Sequence, residues 1–163
     1  MRDLRSLIDD TVVTLVFYGS IVALAVASAL GAEDRPPRPS SGISVILATA
    51  TVLYVGHVFA ALVPKAARAG RLHKGHLAAA LLHDVPLLLS VIVPVAPLAL
   101  AAAGAVSVAR GYQLSVRSTL AMLFVLALTL GRRDGLSWGR SLAAGVSIIL
   151  IATVVIVLES LVH

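Results

Sequence analysis

The chain has 163 residues, of which 59% are hydrophobic and 13% are charged, and its 13 basic residues against 8 acidic residues give a net charge of +5. This length accommodates one helical unit and excludes a separate soluble ATPase or periplasmic module, so we expect a single integral membrane domain over residues 1–163. The chain has no cysteine, which excludes disulfides, iron–sulfur clusters and thiol catalysis.

Apolar stretches account for most of the sequence. Each is close to the roughly 20 residues that a helix needs to cross about 30 Å of hydrocarbon. Together they predict an all-α transmembrane helical bundle of five spans. The predicted spans are Thr11–Gly31, Ile43–Val63, Pro86–Val106, Leu114–Leu130 and Leu142–Val162.

The basic residues between these stretches alternate from many to few. The N-terminus and the second and fourth loops hold nine lysines and arginines, whereas the first and third loops, with Arg117, hold four. Cytoplasmic segments carry the basic excess, so the pattern predicts an N-in/C-out topology in a bacterial cytoplasmic (inner) membrane. The basic residues lie beside spans, which favours anionic lipid headgroups as partners and argues against nucleic acid.

Small residues recur at every fourth position of the first span. Such a stripe allows two helices to approach closely, either within one subunit or between subunits. We expect it to pack helices and to support a homo-oligomer. Its members are Gly19, Ala23, Ala27 and Gly31.

The segment before the third span lacks proline from Leu72 to His83 and is rich in alanine and leucine. It predicts a short helix in the cytoplasmic interface. Asp84 followed by Pro86 then predicts a polar cap and a first-turn proline for the third span. Pro94 and Pro97 lie inside that span, where their missing N–H groups predict a kink.

Polar residues of the first three spans fall near the same predicted inner surface. His57 lies about 9 Å deep from the inner end of the second span. Because imidazole titrates near neutral pH, these residues predict a proton- or cation-handling vestibule that faces the cytoplasm. In the alternative, His57 hydrogen-bonds Tyr18 or Asp10 and only holds two helices together. The vestibule residues are Asp10, Thr14, Tyr18, Tyr54, His57, His83 and Asp84.

Other ionisable groups suggest structural roles. Arg117 and Glu159 lie at similar predicted depth near the outer surface, where they form an ion pair or snorkel separately to the interface. His73, His76 and His83 have a spacing that can hold zinc or nickel, but Lys74 and Gly75 interrupt them. We therefore expect no metal and no cofactor.

The fourth loop reads as a tight inner turn, with Asp134-Gly135 as the turn, Ser137 as a cap for the last helix and Trp138 as an interfacial anchor. No Gly-x-Ser-x-Gly elbow or other catalytic motif is present, so we expect no enzyme activity.

Four segments together carry a resemblance: Phe17–Ser20, Tyr54–Ala60, Asp84–Pro86 and Gly131–Trp138. They resemble a family of small polytopic integral membrane proteins of high-GC bacteria, which has no assigned activity. The resemblance implies a location and a topology but no reaction. From the residues we expect an oligomeric ion or proton permeation protein; the alternative is a non-conducting structural or regulatory protein that binds lipid or a partner through its basic cytoplasmic loops.

Overall fold

The computed structural model describes residues 4–69 and 74–162, with side chains from Thr11 onward except those at 65, 66, 68, 69, 74, 76, 155 and 158–162. These residues form helices and no strand, which confirms the predicted all-α class. The helices are α1 (Leu4–Ala32), α2 (Pro39–Ala69), α3 (Lys74–His83), α4 (Val85–Leu89), α5 (Ile92–Ala102), α6 (Val108–Arg133) and α7 (Trp138–Val162).

Three helical stretches are long and apolar enough to cross a membrane: Thr11–Ala32, Pro39–Pro64 and Val108–Arg133. A fourth crossing results if the bent pair Leu77–Leu89 and Ile92–Ala102 counts as one span. In α7 the apolar stretch Trp138–Val154 is shorter. Three or four of the five predicted spans are thus present by length and composition, while the fifth span and the orientation stay predictions.

The predicted third span, Pro86–Val106, is broken within its first third. The helical segments on either side of residues 90 and 91 meet at 52°. Pro94 explains this break. In an unbroken helix its ring would clash with the carbonyl of Ser90, and its nitrogen has no hydrogen to donate to that carbonyl. The predicted kink is therefore confirmed, and it falls one turn before the proline.

Asp84 lies at the junction of α3 and α4, as the sequence predicts, but the expected cap is wrong. Its backbone angles, φ −94° and ψ 0°, differ from the extended geometry of a capping residue, and its side chain bonds no helical N–H. The side chain contacts His83 instead. The helix expected before this point is present as α3, and its interfacial position stays a prediction.

The small-residue stripe of α1 packs against helices of the same chain. A Cβ at Gly19 would overlap Ser90 Oγ and lie 3.0 Å from the carbonyl oxygen of Leu87. Ala23 and Ala27 are buried in a core shared with α2, α5 and α6. A second copy of the chain would have to displace these contacts in order to pack against the same small-residue stripe.

Tyr112 of α6 joins three elements at the end of the bundle where α1 finishes. The residue is 2% exposed. Its ring packs on Gly31 of α1, its hydroxyl group fills the space beside Gly42 of α2, and that hydroxyl donates to the carbonyl of Pro37 at 3.3 Å. The two glycines provide the space that the ring occupies.

Two helices end at glycines that adopt the left-handed backbone conformation, Gly104 and Gly135, each with φ +77°. After α6, the Leu136 N–H donates to the carbonyl of Gly131 and the Gly135 N–H donates to the carbonyl of Arg132. These two bonds form a Schellman motif. The guanidinium of Arg132 also donates to Leu136 and lies 4.7 Å from the Trp138 ring centroid. The predicted Asp-Gly turn is confirmed.

Gly111 provides a test of the close contact between α5 and α6. A Cβ at this position would lie 2.6 Å from Ala101 Cβ, so we expect Gly111→Ala to lower the free energy of unfolding by about 1–3 kcal/mol. Adding Ala101→Gly should restore most of it. Gly139→Ala, at a helical glycine with open space around it, is the matched control and should cause no loss. Denaturant titration in detergent micelles measures the three variants and wild-type protein. Equal free energies of unfolding for Gly111→Ala and the double variant would contradict the contact.

Candidate functional site

His57 on α2 contacts Tyr18 on α1 through their rings. The ring centroids are 5.8 Å apart and the planes are inclined by 61°, an edge-on arrangement. Tyr18 is 45% exposed, and His57 is exposed as well. The two helices are thus joined by a ring contact on the surface of the bundle, and the alternative hydrogen bond from His57 to Asp10 involves a side chain outside the described residues.

Tyr54 lies one helical turn from His57 on α2 and ties this helix to α3. Its hydroxyl donates to the carbonyl oxygen of Leu81 at 2.9 Å. Beside this bond an apolar cleft of about 210 Å³ lies between α2 and α3, lined in part by Val58 and Leu62. The α3–α4 segment is held against α2 by one interhelical hydrogen bond and this apolar surface.

Asp84 carries a carboxylate that is removed from water. Its side chain is 5% exposed, and Oδ1 lies 2.8 Å from Nδ1 of His83, whose side chain is 54% exposed. Oδ2 is buried and has no hydrogen-bond partner among the residues that the structure describes. An exposed imidazole in contact with a buried carboxylate can pass a proton between solvent and the protein interior.

Among the described contacts, the predicted vestibule residues form two separate pairs and one bond to a backbone carbonyl. Tyr18 pairs with His57, and His83 pairs with Asp84, while Tyr54 bonds the backbone of α3. Thr14 is exposed on α1. The side chain of Asp10 lies outside the described residues, so the convergence of the whole set stays a prediction.

Hydroxyl groups are buried in α1, in α6 and at the break in the third span, and sequence reasoning missed them. Ser90 Oγ donates to the Leu87 carbonyl at 2.6 Å, and Ser115 Oγ of α6 donates to the Pro94 carbonyl at 2.6 Å. Thr119 Oγ1 donates to the backbone carbonyl of Ser115 at 2.8 Å. Ser20 of α1 is fully buried, and its hydroxyl has no partner in the described part of the chain.

We call Ser20, Ser90, Ser115 and Thr119 the polar core. A sequence signal for it exists. Ser115 and Thr119 are four residues apart and share a face of an apolar helix, which follows a span interrupted by two prolines. Neighbouring helices must supply polar groups to such a span, because its backbone lacks two hydrogen bonds.

The remaining predicted sites are only partly within the described residues. The side chain of Glu159 lies outside them, and Arg117 makes no hydrogen bond or ion pair with any side chain that is described. No group of three metal-ligating side chains occurs in the described part of the chain. His73 and the side chain of His76 fall outside it, so the histidine cluster is not tested.

No protein-family model, curated protein or solved structure matches this chain. The resemblance to small membrane proteins of high-GC bacteria therefore stays a prediction.

Proposed function

We propose that the chain is a five-span protein of the bacterial cytoplasmic membrane, N-terminus inside, that lets protons permeate beside its broken third span. The observation that carries this proposal is Asp84, a buried carboxylate with one free oxygen, placed against an exposed imidazole. A carboxylate that is buried away from water is costly unless it is fully paired, and Asp84 lies at the inner end of the predicted third span. Groups that carry such a cost commonly serve ion or proton pathways.

The broken span supports the same proposal. Irregular backbone at membrane depth is tolerated where protein buries it or where it lines a water-filled cavity, and discontinuous helices are frequent at transport sites. The polar core lies on the outer side of Asp84 along this span. In the proposed topology His83 receives a proton from the cytoplasm, Asp84 binds it, and the hydroxyls of the polar core lead outward.

The His57–Tyr18 pair and Tyr54 have a supporting role in this proposal. They lie on α1 and α2 beside the α3–α4 segment and form the remainder of the inner mouth. We further propose that the protein assembles into oligomers, because exposed His57 and Tyr18 side chains would otherwise face hydrocarbon, where polar groups are costly.

A non-conducting role has an observation of its own. Three of the four hydroxyls of the polar core already donate to backbone carbonyls. Two of these carbonyls, those of Leu87 and Pro94, belong to the broken span, so the bonds serve its backbone without any transported proton. In this second candidate the basic cytoplasmic loops bind anionic lipid or a partner protein.

Proton flux into liposomes that contain the purified protein separates the two candidates. With an imposed pH gradient we expect wild-type flux to exceed that of protein-free liposomes. His83→Ala should reduce it more than His57→Ala, since His83 directly contacts Asp84. Flux no higher than in empty liposomes would overturn permeation and favour the non-conducting role. A stronger effect of His57→Ala would move the proton entry to the contact between α1 and α2.

A further inference from the structure

A cleft of about 260 Å³ opens between α1 and α6. Ser28 and Gly31 of α1 face Tyr112 and Val116 of α6 across it. The Tyr112 hydroxyl donates a hydrogen bond to the carbonyl of Pro37, so the part of Tyr112 that lines the cleft is mainly its aromatic ring. The volume lies just below the roughly 300–1,000 Å³ of pockets for drug-sized ligands, which suits part of a long apolar chain better than a complete soluble ligand.

Gln113 and Arg117 line one side of this cleft. They are four residues apart and therefore share a face of α6. Arg117 lies three residues after the predicted start of the fourth span at Leu114, which is about 5 Å along the helix axis. It is exposed and makes no hydrogen bond or ion pair with the side chains that the structure describes. A charge at this depth requires an anion or a route to the headgroups.

The guanidinium has such a route. Ser28, on the opposite wall, lies one turn before α1 ends at Ala32, so this part of the cleft is near a membrane surface. An arginine side chain extends toward that surface while its methylene groups stay among apolar neighbours. Arg110, seven residues earlier on the same face of α6, adds a second positive charge toward the helix start.

We propose that this cleft binds a phospholipid with a net negative headgroup. An acyl chain lies against Gly31, Tyr112 and Val116, and the phosphate accepts hydrogen bonds from Arg117 and Gln113. Arginine matches phosphate oxygens in a bidentate arrangement and is weakly hydrated, which favours it at such a site. The inference rests on the proposed membrane topology and not on proton permeation, because the cleft is separate from Asp84.

Native mass spectrometry of the delipidated protein in detergent, titrated with phosphatidylglycerol or phosphatidylcholine, tests the site. Wild-type protein should bind phosphatidylglycerol more tightly than phosphatidylcholine. Arg117→Gln should weaken phosphatidylglycerol binding about fivefold, which corresponds to about 1 kcal/mol for one basic residue near anionic lipid. Ser28→Phe, which fills the cleft and keeps the charge, should weaken binding of both lipids.

Arg140→Gln makes the same charge change at the start of α7, outside the cleft, and should reduce phosphatidylglycerol binding less than Arg117→Gln does. Equal binding to wild-type protein and Arg117→Gln, or equal affinity for the two lipids, would overturn the proposal. Full binding to Ser28→Phe would do so too, because the cleft would then be unnecessary. Restoration of thermal stability by Glu159→Arg in an Arg117→Glu background would assign Arg117 to an ion pair within the chain. The titration reads binding directly, so its failure leaves the flux result unaffected.

Discussion

Asp84→Asn is expected to reduce proton flux to the level of protein-free liposomes without lowering thermal stability. Asparagine has nearly the same size as aspartate, but its amide cannot take up and release a proton as a carboxylate does. It also removes a buried charge whose second oxygen has no hydrogen-bond partner in the described residues. Asparagine keeps an acceptor for His83 and replaces one buried oxygen without a described partner by an amide without one, so the variant should have a stability close to that of wild type. Flux and melting temperature measured on the same preparation separate a lost proton site from a damaged fold.

Asp134→Asn is the matched control for this experiment. Asp134 is exposed and lies in the turn after α6, where its backbone N–H bonds Leu130. The chemical change is the same, so flux should stay at the wild-type level. Full flux through Asp84→Asn would contradict the proposed proton site even if wild-type protein conducts, and would direct attention to the other polar residues of the inner mouth.

Tyr112→Ala is expected to cause a large loss of stability. Truncation of a fully buried large aromatic side chain costs about 3–5 kcal/mol, because contacts are lost and a cavity remains. Here the cavity adjoins Gly31 and Gly42, which have no side chains with which to fill it. Tyr112→Phe removes one hydrogen bond to Pro37 and should cost about 0.5–1.5 kcal/mol. Denaturant titration in micelles gives both values.

Tyr18→Ala provides the comparison at an exposed tyrosine. Because Tyr18 is 45% exposed, its truncation should cost less than that of Tyr112. Similar losses for Tyr112→Ala and Tyr112→Phe would assign the effect to the hydroxyl group and contradict the packing interpretation. Similar losses for Tyr18→Ala and Tyr112→Ala would show that burial does not decide the cost.

Local patterns in the sequence predicted the elements well where one segment determines the outcome. Hydropathy identified the helices, because a membrane helix satisfies its backbone within a single apolar run. Pro94 predicted the kink for the same reason, since its effect acts on the preceding turn. The Asp84 cap failed because the backbone of Asp84, with φ −94° and ψ 0°, does not adopt the extended geometry of a capping residue, and residue type alone does not reveal that geometry.

The parts of the candidate site that were missed depend on which face of a helix turns inward. Ser20 and Ser115 read as ordinary residues of apolar spans, yet both are fully buried. His57 reads as an intramembrane imidazole in need of a partner, yet its ring is exposed. Hydropathy alone cannot separate the inward face from the lipid face when both are apolar.

The bond from Tyr112 to Pro37 spans 75 residues of chain. A protein is synthesised from its N-terminus, so α1, the following loop and α2 are made well before this tyrosine. The first helical hairpin is therefore made without the ring that fills the space between Gly31 and Gly42. Its final geometry is set only after α6 has been inserted, and any version of the chain that stops before Tyr112 leaves that hairpin incomplete.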